Sequence, residues 1–127
     1  MLTPDPTSIA DAYALIKVLS TMYHQTEFKV MVNEVTGEHE ALEIFKKLTT
    51  VTDRFLNVAV DFVGWLPRDP KVREAVRNQR PFMDLYPRSA AAQAIKKIAR
   101  QIVTMENDPM KSDLGLLWRN VLMTPAA

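Results

Sequence analysis

The sequence predicts an α/β domain with a parallel sheet. A short run of apolar, mostly branched residues, Val30, Met31 and Val32, has helical periodicity on either side, as a strand buried on both faces does. A second stretch, Asn57 to Val63, alternates Val58, Val60 and Phe62 against Ala59, Asp61 and Val63. A long helical pattern separates the two, so they cannot form a hairpin. They make a βαβ unit with parallel strands and a right-handed crossover. The first run stops at an amide, Asn33, and ligands in open α/β sheets collect at the carboxyl ends of strands. That end of the sheet is where a binding site is expected.

Each element follows from its residues. Residues 1–7, MLTPDPT, form a Pro-rich turn, and Ser8 with Asp11 has the spacing of a capping box, which starts a helix near Ser8. Ile9, Ala12, Tyr13, Ile16, Leu19 and Tyr23 make one stripe of that helix, and Leu15, Val18 and Met22 a second. Two stripes predict cover on more than one side, up to an end near His24. The strand Phe28 to Val35 follows. Thr36 and Gly37 break the pattern before GEHEALEIFKKL, where Ala41, Leu42, Ile44, Phe45 and Leu48 keep helical spacing. Glu38, Glu40 and Glu43 early, with Lys46 and Lys47 later, suit the helix dipole.

After the second strand, GWLPRDPKVREAV offers Asp69 as a cap and Pro70 as the first helical residue of a short helix to about Asn78. RPFMDLYP reads as a loop. Ser89 starts SAAAQAIKKIARQIVTM, with Ala91, Ala94, Ile95, Ile98 and Ile102 toward the core. Residues 106–113, ENDPMKSD, read as a linker, and residues 114–127 as an amphipathic tail.

Composition narrows the function classes. A length of 127 residues suits one core, and 16 basic against 15 acidic residues leave a formal charge of +1. No whole-protein field argues for nucleic acid, so direct nucleic-acid binding is not expected. The lack of cysteine removes disulfides, thiolate zinc sites and thiol nucleophiles, and leaves the reducing cytoplasm as the default. MLTPDPTSIAD lacks the basic-then-apolar order of a signal peptide, and no apolar run approaches the ~18 residues of a membrane span. His39 and Glu43 share a helix face, but without the second histidine of H-E-x-x-H a zinc site is rejected. His24 is expected at the surface, and no Ser, His and Asp set has a supporting motif.

The ordered segments DPTSIADAYALIK, VMVNEV, VTDRFL, VGWLPRD, VREAVRNQRPF and YPRSAAAQAI resemble the carboxyl-terminal half of the FlhG/FleN family. Those proteins are MinD/ParA-like P-loop ATPases that set flagellar number and placement in bacteria. The resemblance covers residues 2 to about 103. It implies a partial three-layer α/β parallel sheet of the P-loop NTPase (MinD/ParA) type, its carboxyl-terminal half, over residues 1–105, followed by a C-terminal amphipathic helix. It implies an ATP-dependent dimer on the membrane as well. Yet the chain has no G-x-x-x-x-G-K-[ST], and Gly37, Gly64 and Gly115 lie too far apart for a phosphate cradle. The resemblance puts residue 1 inside a strand of the parent sheet, with Leu2 and Thr3 the remnant of a third strand here. The phosphate-binding half then lies upstream, and the chain is expected to be a fragment, inactive as an ATPase alone and able to use Mg²⁺ only with that half.

Taken residue by residue, the resemblance implies that Asn33 contacts the adenine of ATP, and that Pro67, Arg68 and Asp69 border the base and ribose. A side-chain amide, with donor and acceptor, suits the adenine edge. Plainer readings stay open beside it: Asn33 as a turn residue, and Asp69 with Pro70 as a helix start. Asp5 and Ser8 to Asp11 match a loop near the dimer interface, with capping the preferred reading. In the tail, Leu114, Leu117, Trp118, Val121 and Leu122 form a stripe that either meets a bilayer interface or packs back on the domain. Lys111 and Arg119 would then sit near headgroups. The partners implied are a FlhF-like GTPase and a FleQ-like regulator, with a peripheral place at the inner face of the cell membrane. The alternative from another class is a non-enzymatic module that binds a partner or membrane through its helices and tail. A parallel sheet cut in its middle leaves an apolar edge and uncovered helix faces, which predicts self-association.

Overall fold

Residues 1–106 are described by a computed structural model; the tail residues Leu114, Leu117, Trp118, Val121 and Leu122 lie outside the described residues. The order is α1 (Pro6–Tyr23), β1 (Glu27–Val35), α2 (Glu38–Phe55), β2 (Ala59–Pro67), α3 (Pro70–Arg77), α4 (Phe82–Leu85) and α5 (Ala90–Glu106). β1 and β2 pair in parallel, from Glu27 opposite Ala59 to Val35 opposite Pro67, as a strand–helix–strand connection requires. Leu2 adds an isolated parallel bridge to Val32. Its N–H donates to Met31 O at 2.8 Å, and its carbonyl accepts the Asn33 N–H at 2.7 Å.

Several elements differ from expectation, each for a local reason. Helix α1 starts at Pro6, not near Ser8, because Asp5 is the cap: Asp5 Oδ1 accepts the N–H of Thr7 at 3.0 Å and its hydroxyl at 2.9 Å. Proline loses nothing at a first helical position, so Asp5–Pro6 is the stronger start signal. Ser8 Oγ instead accepts the Thr3 N–H at 3.0 Å. The second strand lies at Ala59–Pro67 rather than residues 57–63, so Gly64, Trp65 and Leu66 are strand and not loop. Gly64 punctuates the sequence but in space carries a β-bulge: Val30 pairs with Phe62 and Met31 with Gly64, leaving Val63 the extra residue. The loop RPFMDLYP contains the single turn α4. The second stripe of α1 is bare among the described residues, with Leu15 59%, Val18 44% and Met22 69% exposed.

Apolar side chains from alternate strand positions fill two clusters. The first joins Leu2, Ile16 of α1, Val30, Val32 and Val35 of β1, and Ala41, Ile44 and Leu48 of α2. Phe45 and Phe62 pack at its margin with ring centroids 5.3 Å apart. The second holds Val63 and Leu66 of β2 against Ile98 of α5. There Gly64 lets the helix come close: a Cβ at this position would lie 2.6 Å from Ile98 Cγ1, and the φ of +149° is itself open to glycine alone. The buried hydroxyl of Thr52 donates to Thr49 O at 3.2 Å, so α2 carries it without an orphaned polar atom.

Candidate functional site at the carboxyl ends of the strands

Both strands give out on the same side of the sheet, and the last residues of each are irregular in a specific way. Val32 pairs with Trp65 and Val35 with Pro67, so Asn33 and Glu34 together oppose Leu66 in a second bulge. Glu34 has φ +60°, a left-handed conformation uncommon outside glycine. The Asn33 side chain supports it, since its Oδ1 accepts the Glu34 N–H at 2.8 Å. A bulge at a strand end re-aims a side chain, and here the side chain is the half-buried amide of Asn33.

Arg68 N–H donates to Val35 O at 3.0 Å, carrying the ladder one step past Pro67. The structure therefore brings Pro67 and Arg68 beside the end of β1, next to the Asn33–Glu34 bulge. Glu40, on the first turn of α2, accepts the N–H of Thr36 at 2.7 Å and its hydroxyl at 2.8 Å. Those two bonds, the backbone one foremost, hold the Glu40 carboxyl below its ordinary value, and the nearby charge of Arg68 lowers it further. Asp69 is half-buried and uses both oxygens on backbone. Oδ1 accepts the Lys71 N–H at 2.9 Å and Oδ2 the Ala91 N–H at 3.1 Å.

This end of the sheet offers a side-chain amide and a proline rather than a cradle of backbone N–H groups. A carboxamide oxygen has two lone pairs, so Asn33 keeps one acceptor position and its amide donors beyond the bond to Glu34. Pro67 lies on the neighbouring strand end, opposite Val35. Phosphate needs several convergent N–H groups on a Gly-rich turn, and the two described glycines sit instead at the extended cap of α2, Gly37, and beneath Ile98, Gly64. A cleft of about 560 Å³, lined by Glu38, Trp65, Pro67, Ala90 and Lys97 among others, borders the site on the β2 side. Another of about 420 Å³, lined by Met1, Asp5, Leu15, Phe28 and Lys29 among others, includes none of Asn33, Pro67, Arg68 or Asp69.

Elsewhere, His39 Nε2 lies 3.2 Å from Glu43 Oε1 on the exposed side of α2, and His24 is the exposed left-handed C-cap of α1. No helix of the described residues is long and apolar enough to cross a membrane. Three contributors at the strand ends escaped the sequence reading. Glu40 had a signal, an acid four residues after Thr36 at a helix start. The strain at Glu34 had none, and the Asp69–Ala91 bond, spanning 22 residues, had none either.

Comparison with known proteins gives the site a context. No family model matches the chain. Over 98 residues, 77% of the chain, it is 47% identical to the antiactivator FleN of Pseudomonas aeruginosa. Over 103 residues it is 31% identical to an uncharacterized ATP-binding protein of Methanocaldococcus jannaschii, matching 81% of the chain. It is 26% identical, again over 103 residues and 80% of the chain, to the flagellum site-determining protein YlxH of Helicobacter pylori. The chain spans about a third of the length of these curated relatives, 35%, 36% and 34% respectively. The identity to FleN, with the weaker match to YlxH beside it, makes the chain similar over most of its length to part of the FlhG/FleN family.

Proposed function

We propose that the chain is the base-side part of a MinD/ParA-like ATPase that regulates the number and placement of bacterial flagella. The observation that carries this reading is the pairing of Pro67 and Arg68 with Val35, two residues past Asn33 at the carboxyl ends of two paired parallel strands, in a chain 47% identical to FleN. In this reading the parallel strands are part of a three-layer sheet of the P-loop type. Asn33 presents its amide to the adenine edge, Pro67 and Arg68 flank the base and ribose, and Asp69 belongs to the same turn. ATP, with Mg²⁺, takes its phosphate and metal ligands from a segment other than the described residues. Hydrolysis then depends on that segment, and this chain alone is inactive. The partners are a FlhF-like GTPase and a FleQ-like regulator, and the stripe Leu114, Leu117, Trp118, Val121 and Leu122 makes peripheral contact with the inner face of the cell membrane.

A second reading, a non-enzymatic interaction module, is favoured by one observation: the bare stripe Leu15, Val18 and Met22 on α1 is an apolar face without cover among the described residues. Calorimetry separates the two. ATP is titrated into the 127-residue chain alone and then with a separately expressed amino-terminal half of a FleN homologue, with Asn33→Ala as control. Binding only in the presence of the added half, weakened roughly tenfold by Asn33→Ala, supports the nucleotide reading. No response in either setting leaves the interaction module as the better account.

A further inference from the structure

Asp69 stands among the residues nearest the proposed base, yet its geometry suits another task. Its Oδ1 caps α3 through the Lys71 N–H and its Oδ2 takes the Ala91 N–H in the first turn of α5, at 2.9 and 3.1 Å. Ser89 Oγ accepts the next amide of α5, that of Ala92, at 3.2 Å, so Asp69 is the only described side chain from outside α5 and its own cap that enters this turn. Two helix amino termini, each with partial positive charge and orphan N–H groups, thus converge on one carboxylate. Immediately before it, Arg68 N–H is bonded to Val35 O. The turn Pro67–Asp69 is therefore tied at three points: to β1, to α3 and to α5.

We propose that Asp69 is a positioning residue, a clamp that fixes the Pro67–Arg68 turn beside Asn33 by capping α3 and α5 at once, and that it does not itself contact the nucleotide. The purpose of the clamp rests on the nucleotide reading above; the clamp itself does not. Both carboxylate oxygens are already on backbone amides, and a ligand hydroxyl would have to compete with a charge-assisted bond at each. The negative charge is matched to the two helix termini, which makes the carboxylate more than a spacer.

Backbone amide exchange on the 127-residue chain, without nucleotide, tests the clamp. Asp69→Asn and Asp69→Ser both keep an acceptor for the Lys71 N–H, so α3 remains capped and the chain folded, and both remove the second oxygen from Ala91. The expected result is roughly tenfold faster exchange at Ala91, with a rise at Arg68 and little change at Lys71, on the scale of one lost cap. Unchanged protection at Ala91 in both variants overturns the proposal. With the amino-terminal FleN half added, ATP affinity falls in step with Ala91 protection in the Asp69 variants, while Asn33→Ala lowers affinity and leaves Ala91 protected. Loss of ATP binding with Ala91 still protected would make Asp69 a direct contact and overturn the clamp. If no protein binds ATP, the nucleotide reading fails, and exchange at Ala91 and Arg68 decides the clamp alone.

Discussion

Beneath α1 and α2 the sheet buries a cluster of eight apolar residues, whereas beneath α5 the buried cluster is three, Val63, Leu66 and Ile98. The first side is held by quantity: burial removes apolar area from water, and neighbours share the work. The second is held by fit and by polar ties, with Ile98 seated on a glycine and the start of α5 bonded to Asp69. The difference teaches where small changes matter. A side chain truncated in the thick cluster leaves a cavity that its neighbours fill only in part, while the thin one depends on a close approach that an added atom disturbs. The thin side is also the one that sets the turn beside Asn33.

Four measurements break or sharpen this comparison. Leu48, fully buried in the larger cluster, is expected to give the largest effect: Leu48→Ala costs about 2–5 kcal/mol in urea unfolding. A loss under about 1 kcal/mol would mean that the α1–α2 side is not what carries stability. Next comes Gly64→Ala, expected to cost about 1–3 kcal/mol because the new methyl meets Ile98 Cγ1 at 2.6 Å and the backbone must leave φ +149°. Adding Ile98→Ala should recover the collision part and not the backbone part, so the double variant is measurably non-additive. Simple additivity would disconnect the two positions.

Asp69→Ala is expected to cost about 1–2 kcal/mol in thermal unfolding, through loss of helix caps, and to loosen α5 before α1 or α2. The smallest effect belongs to Glu40 and appears only in acid. Its folded value is lowered by the Thr36 bonds from an ordinary 4.5, so its contribution is present above about that pH and is lost as pH falls through the lower folded value. Glu40→Gln should flatten that part of an acid-unfolding profile. An unchanged profile would show that the Thr36–Glu40 bonds do not matter to the β1–α2 turn.

Much of the framework was legible from residues. The branched run Val30–Val32, the long helix after it and the alternation from Val58 to Phe62 lead to an α/β class with parallel pairing, while the strand remnant that the family resemblance implies at Leu2 and Thr3 is present as the single bridge of Leu2 to Val32. Asn33 was placed at a strand end by pattern alone, and Asp69 as a cap by its neighbour Pro70. What was not legible depends on contacts between distant residues. Gly64 in the sequence is a breaker; only the arrival of Ile98 turns it into a packing surface. The stripe Leu15, Val18 and Met22 has the periodicity of a covered face, and periodicity says nothing of whether the cover is present. At the site, the left-handed Glu34 follows from the way Asn33 folds onto the next amide, a choice no composition rule selects.

The seat of Ile98 on Gly64 also has an evolutionary side. The two positions occupy one shared volume, so mutation at either is judged by the state of the other. A lineage that shortens residue 98 opens room in which residue 64 becomes free to vary, but only as far as its positive φ permits. A lineage that keeps isoleucine there has closed that route. Position 64 is thus expected to drift late and position 98 first, an ordered pair of substitutions whose direction is set by the helix lying against the strand.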